Sequence, residues 1–388
     1  MHITLIRPSR LLKPFNKSLF PAAPLGLAFV AAILEKHGHH VTVIDAIAEK
    51  SRQVSEFKHG IVLNGLTNKE VINPIPANTD LIGLSCMFTQ DWPNTRRLIN
   101  EIGLAFPNAT IIAGGEHITA LPEFCLSQCP SLNLCVVGEG EETVDELCTA
   151  LANKTGLSNI QGIVYRDNDG TFKKTERRKR IREIGAIALP AWHLFPVKSY
   201  FEEGLFMSVG VKRSLPILAT RGCPYTCTFC SSPNMWGTRY FMRDPADVVG
   251  EIQGLIKTYD IDGIELFDLT AVINANWIIS FAKELISRNV KINWQLPSGT
   301  RSEAITKEVA HYMKLSGCKI ISYAPESGSE EILGTIKKKV SLSKLLKAVR
   351  HSNQENLIVK VLIIIGTPYE THKTVWQTML LLLKCSWN

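Results

Sequence analysis

The stretch "LPILATRGCPYTCTFCSS", residues 215–232, carries three cysteines on one short loop behind a strand-forming run. Cys223, Cys227 and Cys230 are spaced C-x3-C-x2-C, and no fourth cysteine or histidine lies nearby in the chain. A structural zinc site normally closes with four ligands, often as two spaced pairs. An iron–sulfur cubane held by three cysteines leaves one iron open to a ligand from outside the protein. The loop therefore favours a cluster over zinc or uninvolved thiols.

The chain around this loop alternates predicted strands and helices. Between residues 215 and 388 five strands are visible, separated by helices, which is typical of a β/α barrel. One helix is expected to begin at Pro245 with Asp244 as its N-cap. Barrel enzymes carry their chemistry at the carboxyl ends of the strands, and the cysteine loop follows the first strand. No closing elements are visible after the fifth strand, so we expect a partial barrel that is C-terminally incomplete.

Residues 1–155 show the same alternation in an α/β domain of another kind. The strands "HITLIRP", "HVTVIDA", "LIGLSC" and "TIIAGG" are separated by other segments, which predicts a doubly wound, flavodoxin-like parallel sheet. Ligands of such sheets lie outside the carboxyl ends of the strands. Small and polar residues follow these ends, so we expect a large ligand there. The residues concerned are Ser85, Cys86, Gly114, Gly115, Glu116, His117, Gly138, Glu139 and Gly140.

Residues 156–214 form a connector between the two domains. The segment "VYRDNDGTFKKTE" has strand-like arms around Asn168, Asp169 and Gly170, which predicts a hairpin turn. Residues 173–182, "KKTERRKRIR", hold seven basic residues against one acidic residue. Because no aromatic residues are interleaved to stack on bases, we interpret the run as a solvated hairpin arm.

The composition is that of a folded globular protein. Of 388 residues, 45% are apolar and 20% charged, and the basic run supplies most of the formal charge of +7. We therefore expect no nucleic-acid partner. The N-terminus does not resemble a signal peptide, and the longest apolar runs fall short of the roughly 18–20 residues that cross a bilayer. A cytoplasmic protein without a membrane partner is expected, and cysteines outside the loop are interpreted as small buried hydrophobic residues.

The cysteine pattern, with the aromatic Phe229 just before the last cysteine, resembles the radical S-adenosylmethionine (SAM) enzymes. The resemblance implies that Cys223, Cys227 and Cys230 hold a [4Fe–4S] cluster whose open iron is chelated by the amino and carboxylate groups of SAM. It also implies reductive cleavage of SAM to methionine and a 5′-deoxyadenosyl radical. The electron would come from a donor such as flavodoxin or ferredoxin.

Two later motifs extend the resemblance through the barrel. "APESGSEEIL", residues 324–333, and "IIIGTPYET", residues 363–371, are similar to the family's fourth- and fifth-strand motifs. The second departs from the family pattern at Thr367 and Tyr369. By resemblance, the residues that contact SAM are Phe229, Asp268, Ser298, Arg301, Glu326, Ser327 and Gly366.

The N-terminal half is similar to the cobalamin-binding domain that is fused to one branch of the radical SAM enzymes. The segments that carry this resemblance are "PLGLAFVAAILEKHGHHVTVIDA", "GGEHITALPE" and "VVGEGEET". It implies that cobalamin is the large ligand at the strand ends. Many cobalamin proteins supply a histidine to cobalt from an Asp-x-His-x-x-Gly loop, whereas residues 7–16 here read "RPSRLLKPFN" and contain no histidine.

Together the resemblances imply a cobalamin-dependent methyltransferase that acts on an unactivated carbon of a small-molecule or natural-product substrate. The segment after the cysteine loop also resembles the anaerobic magnesium-protoporphyrin IX monomethyl ester cyclases, so oxidative ring closure of a porphyrin-type substrate is an alternative. A methylthiotransferase is another, and it would need a second cluster on residues such as Cys86, Cys125 and Cys135. A truncated, non-catalytic cofactor-binding protein is the remaining alternative.

Overall fold

The computed structural model describes residues 1–13, 22–167 and 169–386. The chain forms two compact units, the first from Met1–Ile181 with Ala186–Phe206 and the second from Arg182–Gly185 with Met207–Asn388. The three-segment division at residues 155 and 214 stays a prediction. Within the described ranges, no helix combines the length and the apolar character needed to cross a membrane.

The first unit is an α/β unit with a large sheet and a small one. Its strands are β1 (His2–Arg7), β2 (Arg10–Leu12), β3 (His40–Asp45), β4 (Val54–Lys58), β5 (Ile61–Asn64), β6 (Leu81–Ser85), β7 (Thr110–Gly114), β8 (Leu134–Val136), β9 (Ile163–Arg166) and β10 (Phe172–Lys174). Its helices are α1 (Leu25–Lys36), α2 (Asn68–Ile72), α3 (Trp92–Ala105), α4 (Glu116–Ala120), α5 (Pro122–Gln128), α6 (Glu141–Ala152) and α7 (Val197–Glu202).

The large sheet has the strand order β10-β9-β8-β7-β6-β1-β3. The strands from β8 to β3 are parallel, and β9 and β10 add an antiparallel hairpin at one edge. Numbered along the chain, the parallel strands lie in the order 2-1-3-4-5, which is the flavodoxin-like order. The predicted doubly wound sheet is therefore confirmed. The predicted hairpin is present too, although Asn168 of its turn lies outside the described residues.

The small sheet was not predicted, because residues 50–78 read as an irregular polar segment. The structure places β4 and β5 there as an antiparallel pair, and β5 also pairs with β2. Side chains of β4 alternate between exposed and half-buried positions, the two-residue period of a strand with one face covered. Residues 7–16 correspond to the histidine-bearing loop that many cobalamin proteins have. Within this stretch Arg10–Leu12 form β2, and residues 14–16 lie outside the described part.

The basic run is largely exposed, as the sequence suggested, except at Arg178 and Arg180. Arg180 pairs with Glu139 at 2.7 Å, and Arg178 contacts Glu142 at 3.2 Å and also Glu146 on α6. The side chains of these two arginines are only 13% and 11% exposed. Residues of the run therefore fasten the connector to the acidic start of α6.

The second unit is built on one five-stranded parallel sheet and a separate antiparallel pair of short strands. Its strands are β11 (Ser214–Ile217), β12 (Thr220–Arg221), β13 (Phe241–Met242), β14 (Gly263–Leu266), β15 (Asn293–Thr300), β16 (Cys318–Glu326) and β17 (Ile358–Ile363). Its helices are α8 (Ser232–Trp236), α9 (Pro245–Tyr259), α10 (Ala275–Ser287), α11 (Lys307–Leu315), α12 (Glu330–Thr335), α13 (Leu342–Gln354) and α14 (His372–Ser386). Short 3-10 turns in the two units are Thr89–Asp91, Leu157–Asn159, Trp192–Leu194 and Ser302–Ala304.

Five strands of this unit pair in chain order, β11-β14-β15-β16-β17, all parallel. This arrangement is the one expected from the five predicted strands and their intervening helices. Asp244 caps α9 as predicted, since its carboxylate accepts the Ala246 N–H at 2.8 Å. Helix α10 packs on the sheet through Phe281, whose ring lies 5.6 Å from that of Trp294 on β15. Because the five strands are parallel, their carboxyl ends lie at one edge of the sheet, where the cysteine loop begins.

Candidate functional site

The cysteine loop lies between β12 and α8. Cys223 and Cys227 are half-buried and Cys230 is exposed, and all three are free thiols. The Cys230 N–H donates to the Cys227 carbonyl at 3.2 Å, and the Ser232 N–H lies 3.4 Å from the Cys230 sulfur. The loop thus presents three unblocked sulfur ligands, as the sequence predicts.

The three thiols suit an iron–sulfur cluster in their chemistry. Thiolate sulfur is the usual ligand of such clusters, and in a cubane each cysteine binds a different iron. Burial raises the pKa of Cys223 and Cys227. Among the described residues, no three His, Cys, Asp or Glu side chains are placed to hold one metal ion.

The loop is fastened from both sides by backbone hydrogen bonds. Asp268, after β14, accepts the N–H groups of Ala219, at 3.4 Å, and Thr220, just before the loop. On the other side, the Thr228 N–H donates to the Ile336 carbonyl at 3.0 Å. Asp268 was predicted to contact SAM, but the structure shows its buried carboxylate bonded to the backbone that leads into the loop.

The Asp268 carboxyl should give the protein a specific pH dependence. Burial raises its pKa from 3.8 to about 6, against hydrogen bonds from Thr220 and Ala219 that lower it. The folded state therefore binds a proton more tightly than the unfolded state, and stability falls as pH rises from about 4 to 6. The difference is about 3 kcal/mol. Urea unfolding of the wild type and of Asp268→Asn between pH 4 and 7 should show a smaller loss in the variant; equal slopes would contradict this assignment.

Two cations flank the aromatic residues of the loop. The Arg301 guanidinium lies 4.0 Å from the centre of the Tyr225 ring, and Lys338 Nζ lies 5.8 Å from that of Phe229. Lys338 also pairs with Glu326 at 2.9 Å. The sequence predicted Phe229, Arg301 and Glu326 as site residues, and the structure brings all three to the cysteine loop through these contacts. Lys338 was missed, because a run of three lysines reads as a solvated surface.

Glu326 itself has an unusual backbone. Its φ is +70°, and it follows a register shift between β16 and β17. For a residue other than glycine this conformation is strained, and such strain concentrates at functional sites. The position supports the importance that the sequence motif gives to Glu326.

Three further residues predicted to contact SAM are Ser327, Ser298 and Gly366. The Ser327 hydroxyl is buried, lies 3.2 Å from Thr378 and accepts the Ser329 N–H at 3.1 Å. Ser298 is half-buried on β15. Gly366 is exposed after β17 with φ +92°, and its N–H donates to Glu370. The Ser327 hydroxyl is therefore engaged within the unit, and Ser298, Ser327 and Gly366 stay predicted contacts of SAM.

In the first unit, the predicted strand-end loops contact one another. The Cys86 N–H, just after Ser85, donates to the Gly114 carbonyl at 2.8 Å. The Gly138 N–H donates to the Thr119 hydroxyl at 3.0 Å, which joins the loop after β8 to α4. Gly140 is the N-cap of α6, and Glu116 begins α4. The three predicted loops therefore lie side by side at the carboxyl edge of the sheet.

Two polar residues of these loops are engaged within the unit. His117 is 3% exposed, its Nδ1 lies 3.1 Å from the Thr89 hydroxyl and its Nε2 lies 3.6 Å from the Cys125 sulfur. Burial lowers the pKa of His117. Glu139 accepts the Ile181 N–H at 3.0 Å in addition to its pair with Arg180. The sequence does not reveal these partners because they lie on distant segments.

One polar cluster at this edge was not predicted. Arg7, at the end of β1, lies 3.5 Å from Asp45 at the end of β3, and both contact the Tyr200 hydroxyl. Asp45 and Tyr200 are buried. Tyr200 is 193 positions from Arg7 along the chain, so no local pattern could reveal the cluster.

The first α/β unit carries the strand-end loops, and the second carries the three-cysteine loop. Each matches a known family. Residues 15–148 match the B12 binding domain, and residues 217–382 match the Radical SAM superfamily. These are the two domains that the sequence resemblance implied.

Curated relatives include methyltransferases and cyclases. The chain is 29% identical over 374 residues to cytidylyl-2-hydroxyethylphosphonate methyltransferase of Streptomyces wedmorensis, covering 89% of this chain and 69% of the relative. It is 29% identical over 277 residues to the anaerobic magnesium-protoporphyrin IX monomethyl ester cyclase of Cereibacter sphaeroides, covering 70% of this chain and 44% of the relative.

Solved structures share the fold. TsrM of Kitasatospora setae, with cobalamin and a [4Fe–4S] cluster bound, matches with a TM-score of 0.78 and 18% identity over 99% of this chain and 73% of TsrM. OxsB, with aqua-cobalamin and SAM bound, has a TM-score of 0.78 and 21% identity over 98% of this chain and 51% of OxsB. The cofactors predicted from the sequence are those of the matched families and these relatives.

Proposed function

We propose that this chain is a cobalamin-dependent radical SAM methyltransferase that acts on an unactivated carbon of a small-molecule or natural-product substrate. The observation that carries the proposal is the loop of three free thiols at a barrel strand end. The matched B12 binding domain in the same chain supports the choice of methyl transfer. When bound, the cluster and SAM supply the radical, and cobalamin supplies the methyl group.

The protein's own residues would hold and shield these groups. Cys223, Cys227 and Cys230 would provide the thiolates. Asp268 would fix the entry of the loop through bonds to the backbone N–H groups of Ala219 and Thr220. Phe229, Arg301 and Glu326 would bound the space beside the loop. Asp268, Ser298, Ser327 and Gly366 are further proposed contacts of SAM.

Cobalamin would lie against the three adjoining loops of the first unit. Gly114, Gly115, Gly138 and Gly140 leave room for close approach of the backbone, and Ser85, Cys86 and Glu116 lie among them. His117 is already engaged with Thr89 and Cys125 inside the unit. Because residues 7–16 also contain no histidine, we infer that cobalt receives no histidine from these segments.

Oxidative cyclisation is the second candidate, and the similarity to several magnesium-protoporphyrin cyclases favours it. The structure supports a methylthiotransferase less well. Cys86, Cys125 and Cys135 are buried, and burial raises the pKa of each thiol, so these residues are poorly suited to hold a second cluster.

Anaerobic reconstitution with iron, sulfide and hydroxocobalamin, followed by reduction with SAM present, tests the proposal. We expect about four irons and four sulfides per chain. Mass analysis should detect both 5′-deoxyadenosine and S-adenosylhomocysteine, because SAM would serve as radical source and as methyl donor. 5′-Deoxyadenosine alone would favour the cyclase or another radical outcome. Neither product, with the cluster intact, would leave only cofactor binding.

A further inference from the structure

Lys338 is set apart from its two neighbouring lysines by the way α12 ends. The N–H groups of Lys337 and Lys338 donate to the carbonyls of Gly334, at 3.1 Å, and Leu333, at 2.9 Å. Lys337 has φ +53°. This is a Schellman ending, which reverses the chain after the helix. Lys337 and Lys339 remain exposed, whereas the side chain of Lys338 is only 13% exposed.

The side chain of Lys338 is held against the cysteine loop by specific contacts. Its ammonium pairs with Glu326 at 2.9 Å and lies 5.8 Å from the centre of the Phe229 ring. Two residues earlier, the Ile336 carbonyl accepts the Thr228 N–H at 3.0 Å. The segment that carries Lys338 is therefore hydrogen-bonded directly to the loop that carries the cysteines.

The charge of Lys338 lies beside two of the three cysteines. Phe229 immediately precedes Cys230, and Thr228 immediately follows Cys227. The Lys338 ammonium lies 5.8 Å from the Phe229 ring, and the segment that carries it is bonded to Thr228. A positive charge is therefore held next to the part of the loop that joins these two cysteines.

We propose that Lys338 raises the reduction potential of the cluster held by Cys223, Cys227 and Cys230, with Glu326 holding the ammonium in place. The inference rests on the proposed function. Reduction adds one negative charge to the cluster. A fixed cation in a partly buried site stabilises that charge more strongly than the same cation would in water, because the effective dielectric constant is lower. Net charge is one of the factors that set cluster potentials. A higher potential brings reduction within reach of a cellular electron donor.

The test is a redox titration of the reconstituted 388-residue chain, followed by electron paramagnetic resonance in the absence of SAM. Lys338→Met should lower the ratio of reduced to oxidised cluster at a fixed potential about tenfold, which corresponds to about 59 mV for one electron. The matched variant Lys339→Met removes an exposed lysine and should leave the midpoint unchanged. Lys338→Arg should restore most of the wild-type value.

Glu326→Gln is a second variant, for which we expect the midpoint potential to shift in the opposite direction. Removing the carboxylate leaves the ammonium uncompensated, so the midpoint should rise. A wild-type midpoint in Lys338→Met with an intact cluster would overturn the proposal. So would weaker SAM binding in that variant without a change in midpoint, since Lys338 would then be a cofactor contact only. Failure of the wild type to assemble a cluster would instead overturn the proposed function.

Discussion

Cys227→Ala is expected to abolish cleavage of SAM completely while leaving hydroxocobalamin bound to the other unit. The thiol is half-buried on a loop and forms no disulfide. A cluster held by two cysteines has two open irons and is readily lost. The variant should therefore fold with normal thermal stability, contain little iron and release no 5′-deoxyadenosine.

The matched control for this result is Thr226→Ala. Thr226 is exposed on the same loop, one position away, and its substitution leaves all three cysteines in place. It should bind iron, sulfide and SAM like the wild type. Retention of SAM cleavage by Cys227→Ala, or by the corresponding variants of Cys223 and Cys230, would refute the assignment of the loop as the cluster site.

Gly115→Ala should destabilise the first unit by about 3 kcal/mol and eliminate cobalamin binding. Gly115 has φ +115° and ψ −178°, a region of backbone space that is almost confined to glycine. A Cβ atom there would lie 2.5 Å from the Cys86 carbonyl oxygen, which is backbone and cannot rotate away. The loops after β6 and β7 would be forced apart at the proposed cobalamin site.

Gly114→Ala is the control for the neighbouring position. A Cβ on Gly114 would meet the Val136 side chain at 3.7 Å, an ordinary contact distance, without backbone strain. Thermal unfolding should show a midpoint lower by about 6–12 °C for Gly115→Ala and little change for Gly114→Ala. Hydroxocobalamin binding, followed by its visible absorption, should be lost in Gly115→Ala. Equal behaviour of both variants would show that the close approach of the two loops is unimportant.

The fold follows from sequence patterns wherever those patterns are local. Alternating strands and helices predicted both parallel sheets, and Asp244 before Pro245 predicted the start of α9. The sheet formed by β2, β5 and β4 escaped prediction because its strands are short, with three to five residues each. Its register depends on a strand from a distant part of the chain.

The candidate site was predictable in its ligands and less so in its surroundings. The three sulfur ligands lie on one short loop, so their spacing can be read directly from the sequence. The role of Asp268 is not visible, because a carboxylate at a strand end serves equally well as a ligand contact or as an acceptor for backbone N–H groups. Lys338 differs from Lys337 and Lys339 only through the turn that follows α12.

The anchors of the cysteine loop are main-chain atoms: the N–H groups of Ala219 and Thr220 and that of Thr228. Hydrogen bonds of this kind do not depend on which side chains the anchored residues carry. Substitutions at exposed positions such as Thr226 and Thr228 should therefore be tolerated, whereas insertion or deletion of one residue would shift every anchor against its partner. The length of the loop is therefore constrained more tightly than the identity of its exposed residues.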